Sequence, residues 1–200
     1  MQELWNKKFS KNELLYGKEA NNFIKANYIH IEKNSKILCL GEGEGRNAIF
    51  LAKKGFQVEA LDASDVGLMK LQKRALEENV AITIRHTLIE NWVPAHKYGA
   101  IISTFMHLPK NIQKEMFTKA IEALEKGGWF IAEFFSIEQL KFNSGGPKDE
   151  NLLYNLEELY NIFKTLPCTI YKLSLEITNI KEGTNHNGDA SVIRIILKRE

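Results

Sequence analysis

The sequence predicts an α/β fold built on a largely parallel sheet, with at least one antiparallel strand contributed by its C-terminal part. Three observations carry the prediction. Short apolar runs alternate with helical patterns through the middle of the chain, the first of these runs ends in a glycine loop, and two long strand-like runs close the sequence around a turn-rich segment. Strand and helix alternating at this rhythm imply right-handed crossovers between parallel neighbours.

Each element follows from its own pattern. "KILCL" (36–40) is a short apolar run ending at Gly41, as a buried parallel strand would read. Residues 46–54 carry Ala48, Ile49, Leu51 and Ala52 on one helical face closed by Gly55. "QVEAL" (57–61) is the second strand and ends at Asp62; 66–78 returns to helical spacing through Val66, Met69, Leu71, Ala75 and Leu76. "AITIRH" (81–86) and "GAIISTF" (99–105) are the third and fourth strands, 112–124 is a helix, and "EKGGWFIAEFF" (125–135) turns into the fifth strand. A long loop over 141–153 precedes the helical "NLEELYNIFKTL". The last two strands, 169–182 and 190–200, are joined by the turn-rich "GTNHNGD", giving a β-hairpin.

Composition bounds the function. A chain of 200 residues with 44% hydrophobic and 26% charged residues predicts one soluble domain over 1–200. The net charge of +2 comes from lysines spread along the chain, which argues against a nucleic-acid or membrane surface. No apolar run approaches the roughly 20 residues that span a bilayer, and "MQELWNKKFSKN" has no signal-peptide character. Cys39, inside an apolar strand, and the distant Cys168 show no metal spacing, so reduced thiols in a cytoplasm are expected.

The loop "GEGEG" (41–45) poses the chemical question. Three glycines let the backbone turn sharply and approach a ligand closely. A dinucleotide fingerprint needs a small residue where strand and helix pack, and position 46 is Arg; no Lys-Ser or Lys-Thr follows for a phosphate loop. Glu42 and Glu44 would repel a pyrophosphate but attract an ammonium and a sulfonium, the charges of S-adenosylmethionine. The competing reading has both carboxylates facing water and complementing the dipole of the next helix. Glu42, between two glycines, is the sharper half of the claim. Asp62 ends the second strand, where a carboxylate accepts both hydroxyls of a ribose.

With these residues in place, the chain resembles the class I S-adenosylmethionine-dependent methyltransferases. "ILCLGEGEGRNAIFLAKKGFQVEALDAS", "GAIISTFMHLP" and "ALEKGGWFIAEF" are similar to that class's first motifs, fourth-strand loop and fifth-strand turn. The resemblance implies a Rossmann-like seven-stranded sheet, mostly parallel, with an antiparallel C-terminal hairpin and helices on both faces. "LWNKKFSKNELLYGKEANNFI" (4–24) is similar to the small tellurite-resistance and thiopurine methyltransferases, in which the N-terminal Trp and Tyr-Gly close over the cofactor. That makes 1–30 a cofactor-covering segment, with Trp5 and Tyr16 as caps.

Residue by residue, the resemblance places Gly41, Glu42, Gly43 and Gly45 along the methionine portion and Asp62 on the ribose. It sets Ala63 and Ser64 against the adenine edge, and Ser103, Thr104 and Phe105 beside the transferring methyl. The acid that binds the adenine amino group is absent from its usual position, where Thr87 stands; either Glu90 further on substitutes for it or Leu88 contributes backbone alone.

Methyl transfer is an in-line displacement at a carbon already activated by its sulfonium, so alignment and water exclusion are its main demands. His107, just past the fourth strand, is the best-placed base; shaping the loop before Pro109 is its competing role. His186 reads as an exposed turn residue unless the hairpin folds over the substrate. "SGGP" (144–147) reads as a lid hinged at glycine. The expected activity is methyl transfer to a small-molecule acceptor. The rivals are a non-catalytic S-adenosylmethionine-binding regulatory module and a nicotinamide-dependent oxidoreductase. The acceptor's identity and the oligomeric state are not written in the sequence.

Overall fold

The computed structural model describes residues 2–11 and 13–200; Met1 and Asn12 of the expected covering segment lie outside them. Seven strands form one sheet: β1 (Lys36–Leu40), β2 (Gln57–Asp62), β3 (Ile82–His86), β4 (Tyr98–Thr104), β5 (Leu124–Phe135), β6 (Cys168–Glu182) and β7 (His186–Arg199), in the order β3-β2-β1-β4-β5-β7-β6. The first five are parallel, and β7 runs antiparallel to both β5 and β6. This is the Rossmann-like sheet the sequence predicts.

Among the described residues six α-helices accompany it: α1 (Gln2–Phe9), α2 (Asn22–Asn27), α3 (Arg46–Lys53), α4 (Asp65–Glu77), α5 (Lys110–Ala123) and α6 (Leu156–Phe163). Among the described residues, no helix is long and apolar enough to cross a membrane. Successive strand residues feed opposite faces, so the central strands are apolar throughout. Leu38, Leu40, Phe130 and Phe134 pack with Phe117 of α5 and Phe163 of α6. Ile37, Cys39 and Ile131 pack with Ile24 of α2, Leu51 of α3 and Leu71 of α4.

Three local expectations change. Helices α1 and α2 were not legible; α1 is short and polar, and α2 depends on its cap, Asn21, whose side chain accepts from Phe23 and Ile24 N–H. On α4, Leu68, Leu71 and Ala75 face the core while Met69 and Leu76 are exposed. The last hairpin turns much more tightly than "GTNHNGD" suggests. His186–Asp189 already belong to β7, because their backbones complete the ladder with β6 up to the pair Glu182–His186. Ladder hydrogen bonds satisfy the backbone whatever the side chains, so a polar sequence is carried into the strand.

The densest aromatic packing surrounds Phe117, whose ring meets Phe163, Phe130, Phe134 and Tyr154 edge-on with centroids 5.0 to 6.2 Å apart. Edge-to-face geometry adds to the gain from burial. Phe117→Ala should lower unfolding free energy by about 3–5 kcal/mol, read as a fall in the urea midpoint.

Candidate active site

The strand order reverses direction between β1 and β4, and the crevice beyond their C-terminal ends is where ligands bind in such sheets. A cavity occupies it, with about 820 Å³ of empty space including its open mouth. The glycine loop forms its floor. Gly41, Gly43 and Gly45 have φ of +64°, +57° and +87°, a region that strains any side-chain-bearing residue. Asp62 fixes the loop: Oδ2 accepts from Gly43 N–H at 2.8 Å and Oδ1 from Ser64 N–H at 2.7 Å. Burial pushes the Asp62 carboxyl up, and these amide donors work against that rise.

The two loop acids serve different masters, and neither faces water. Glu42 Oε1 accepts from Asn47 and Ala48 N–H, both at 2.8 Å, capping α3, whose N-cap Gly45 has no side chain to offer. Glu42 also lines the cavity. Burial drives its pKa up to about 7 despite those amides and Arg46. Glu44 turns away from the cavity. Its Oε2 accepts from Leu15 N–H at 2.8 Å and its Oε1 pairs with Lys70 at 2.8 Å, so it anchors the N-terminal segment. A charge reversal at Glu44 therefore disturbs the cover and is no neutral control for one at Glu42.

The N-terminal segment lies across the cavity, with Trp5, Phe9 and Tyr16 in its wall. Asn6 secures α1: its Nδ2 donates to Asp65 and its Oδ1 accepts from the Ser64 hydroxyl, both at 2.6 Å. Phe9 presses on the loop so closely that a Cβ at Gly43 would sit 2.8 Å from its ring. Beyond α1 the backbone of Tyr16-Gly17 packs on the β6–β7 turn, where a Cβ at Gly183 would lie 2.4 Å from Leu15 O.

Most of the remaining expected residues also surround the cavity. Gly41, Gly43, Asp62 and Ala63 line it, as do Leu88, Thr104 and His107. Thr87 and Glu90 share the wall beside Leu88. Thr104 Oγ accepts from Asn47 Nδ2 at 3.0 Å. Three residues stand off. Ser103 is buried and donates its hydroxyl to Leu40 O at 3.2 Å. Gly45 serves packing, since a Cβ there would meet Leu71 Cγ at 2.4 Å. Ser64 is buried as the α4 cap, accepting from Gly67 N–H at 3.0 Å.

His107 differs most from its expected role. Its ring is stacked between Trp5 and Phe135, with centroids 6.1 and 6.0 Å away, and its buried Nδ1 has no partner among the described residues. Burial, reinforced by His186 and Lys8, takes its pKa down to about 3. Such an imidazole is neutral at ordinary pH and a poor proton acceptor.

The sequence reading missed what the other end of the cavity holds. His186 is buried there against Tyr16, Phe105 and Phe135, at 4.4 to 5.0 Å between ring centroids. Its Nδ1 stands 3.4 Å from Glu182 Oε2, which also pairs with Arg46 Nη2 at 2.9 Å. Arg46 Nη1 is buried without a partner among the described residues, in a side chain that lines the cavity. Phe105, packed against His186, holds a left-handed φ of +50°, an outlier for a bulky residue of the kind that collects at functional sites. The "SGGP" segment is not a free lid: Ser144 O accepts from Asn187 N–H, and Gly145 abuts His186.

Sheet order, glycine loop, acid-ended β2 and covered cavity together define a class I S-adenosylmethionine-dependent methyltransferase fold, a class whose cofactor is S-adenosylmethionine. The chain belongs to the TehB family: the model of tellurite resistance protein TehB matches residues 7–140. Among solved structures it is similar to TehB from Haemophilus influenzae, at 18% identity and a TM-score of 0.71, covering 100% of this chain and 67% of that one. A protein that converts a disulfide bond into a thioacetal group during echinomycin biosynthesis superposes with a TM-score of 0.80 at 13% identity, covering 100% and 92%. An S-adenosylmethionine-dependent methyltransferase from Clostridium acetobutylicum gives 0.67 at 15% identity, covering 98% and 96%. No curated protein sequence matches the chain.

Glu42 makes a test of the buried loop. A raised carboxyl pKa means the folded chain favours the neutral acid, so the stability it contributes is full below pH 4.5 and lost as pH climbs towards 7. Glu42→Gln removes that titration. Urea titrations across the interval should show wild type losing stability relative to Glu42→Gln as pH rises.

Proposed function

We propose that this chain transfers the methyl group of S-adenosylmethionine to a small, electron-rich acceptor held between the glycine loop and the C-terminal hairpin. The observation that carries the proposal is the mixed lining of the cavity. Acids Glu42, Asp62 and Glu90 line it, as does His186, which packs against Phe105 and Tyr16.

The residues present suit the cofactor. Asp62 spends one lone pair per oxygen on the loop amides and keeps the others for ribose hydroxyls. Ala63 and Leu88 wall the adenine, and Glu42 faces the ammonium. The unpartnered Arg46 Nη1 is the natural seat for the carboxylate. When bound, S-adenosylmethionine supplies a methyl carbon already activated towards displacement. The chain does the rest: α1 and Tyr16 exclude water, the end of β4 aligns the acceptor, and His186 receives a proton where the acceptor carries one. Burial, helped by Arg46 and Lys8, holds His186 below its ordinary range against the pull of Glu182, whose carboxylate is the partner that would stabilise the protonated ring. A thiol and a chalcogen oxyanion both fit this description, and the family's tellurite name falls within it. A small acceptor also agrees with the net charge of +2 and the spread of the lysines along the sequence.

Calorimetry should show binding of S-adenosylmethionine and its demethylated product. Asp62→Ala should weaken both by about ten- to a hundredfold, the worth of hydrogen bonds to a charged group. No binding of either ligand by the wild type sinks the proposal. Binding without transfer to thiols, amines, hydroxylated aromatics or chalcogen oxyanions would leave a cofactor-sensing module instead.

A further inference from the structure

We infer that Glu182 is a positioning residue for His186, and that Arg46, by sharing the Glu182 carboxylate, ties the acceptor-side histidine to the cofactor loop. The inference rests on the reading of His186 as the group that takes the acceptor's proton.

Glu182 ends β6 and His186 begins β7, and the two face one another as a cross-strand pair. The tight turn between them brings their side chains to one place. Glu182 has almost no freedom there. Oε2 meets Arg46 Nη2 at 2.9 Å and His186 Nδ1 at 3.4 Å, and Oε1 accepts from Asn21 Nδ2 at 3.0 Å. Asn21 is itself fixed: its N–H donates to Asn47 Oδ1 at 2.9 Å, its Oδ1 caps α2, and its Nδ2 also reaches Glu133 at 2.7 Å. The cluster is buried, with Arg46 and Glu182 side chains 9% and 8% exposed.

Burial alone would push Glu182 up, but the His186 hydrogen bond and Arg46 outweigh it and hold the carboxyl at about 2. An ionised carboxylate only accepts hydrogen bonds, so the imidazole nitrogen facing it carries the proton. Nδ1 is therefore N–H, and Nε2, which has no protein partner among the described residues, keeps its lone pair. In the transfer, an acceptor lone pair forms the bond to the methyl carbon. The carbon–sulfur bond breaks with its electron pair staying on sulfur, and the acceptor's proton passes to Nε2 and on to water.

Arg46 supplies the opposing half. The Glu182 carboxylate raises the His186 pKa, and Arg46 on the same oxygen lowers it. The other titratable groups near the ring are Lys8 on α1, Tyr16 in the cover and His107 after β4. Glu182 and Arg46 thus act on His186 with opposite signs.

Imidazole nitrogen NMR of the full chain reads the pair without assaying transfer. The wild-type His186 should show the Nδ1–H tautomer; an Nε2–H tautomer overturns the inference. Glu182→Gln should shift the His186 titration to lower pH, and Arg46→Met should shift it to higher pH. In transfer assays, Glu182→Gln should cut kcat/KM tenfold or more and move the acid limb of its pH profile downward, with partial return in Glu182→Asp. A folded Glu182→Gln with an unmoved titration and limb refutes the pair. If Glu182→Gln fails to fold, the wild-type tautomer and Arg46→Met decide alone. A wild type that transfers no methyl defeats the proposed function, and the tautomer still judges the pair.

Discussion

A carboxylate taken out of water must find donors, and the site is organised around how Glu42 finds them. Its oxygen collects the first free amides of α3, so the chain after Gly43 has to fold back over β1 and start its helix at once. Asp62 gathers the Gly43 amide from the other side. The left-handed glycines between these two anchors allow a turn that side chains would block. Once α3 starts there, Arg46 at its first residue reaches the hairpin and Asn47 reaches both Thr104 and Asn21. One capped helix end thereby sets the cofactor floor, the end of β4 and the base of the N-terminal cover.

Electrostatics shape the cavity that results. Glu42, Asp62 and Glu90 line it together with two imidazoles, His107 and His186, whose pKa values burial lowers. Burial suits a displacement in which positive charge on the cofactor is discharged as the bond forms, because a dry surround leaves an incoming lone pair unsolvated. Trp5 and Phe135 stacked on His107 contribute to the dryness, and the backbone outlier at Phe105 aims the end of β4 into it.

How much of this is legible in the sequence depends on the range of the interaction that fixes it. The parallel strands read directly, because burial on both faces writes a continuous apolar run such as Lys36–Leu40 or Ile131–Phe135. The glycine loop and Asp62 read directly too, because close backbone approach and strand ends have local signatures. Helix α1 does not: Trp5 and Phe9 are its one apolar pair, and their partners Gly43 and His107 lie far along the chain. His186 sits in a stretch of turn-forming residues and becomes a strand residue only by pairing with β6. Arg46 was recognised solely as a misfit for a dinucleotide loop, since its partner Glu182 is invisible without the fold. Glu44 was misread for the same reason; Lys70 and Leu15 meet it only in three dimensions.

The backbone contact between Tyr16-Gly17 and Gly183 has a bearing on how the molecule is made. A ribosome delivers the cover long before it delivers the hairpin on which the cover rests, and domains begin to organise as they emerge. The glycine loop and the residues that hold α1, Ser64 and Asp65, are delivered well before the hairpin that supports Tyr16-Gly17. That support waits for the final pair of strands, so a chain stalled short of β7 would carry the loop and α1 but lack both the seat of Tyr16-Gly17 and His186.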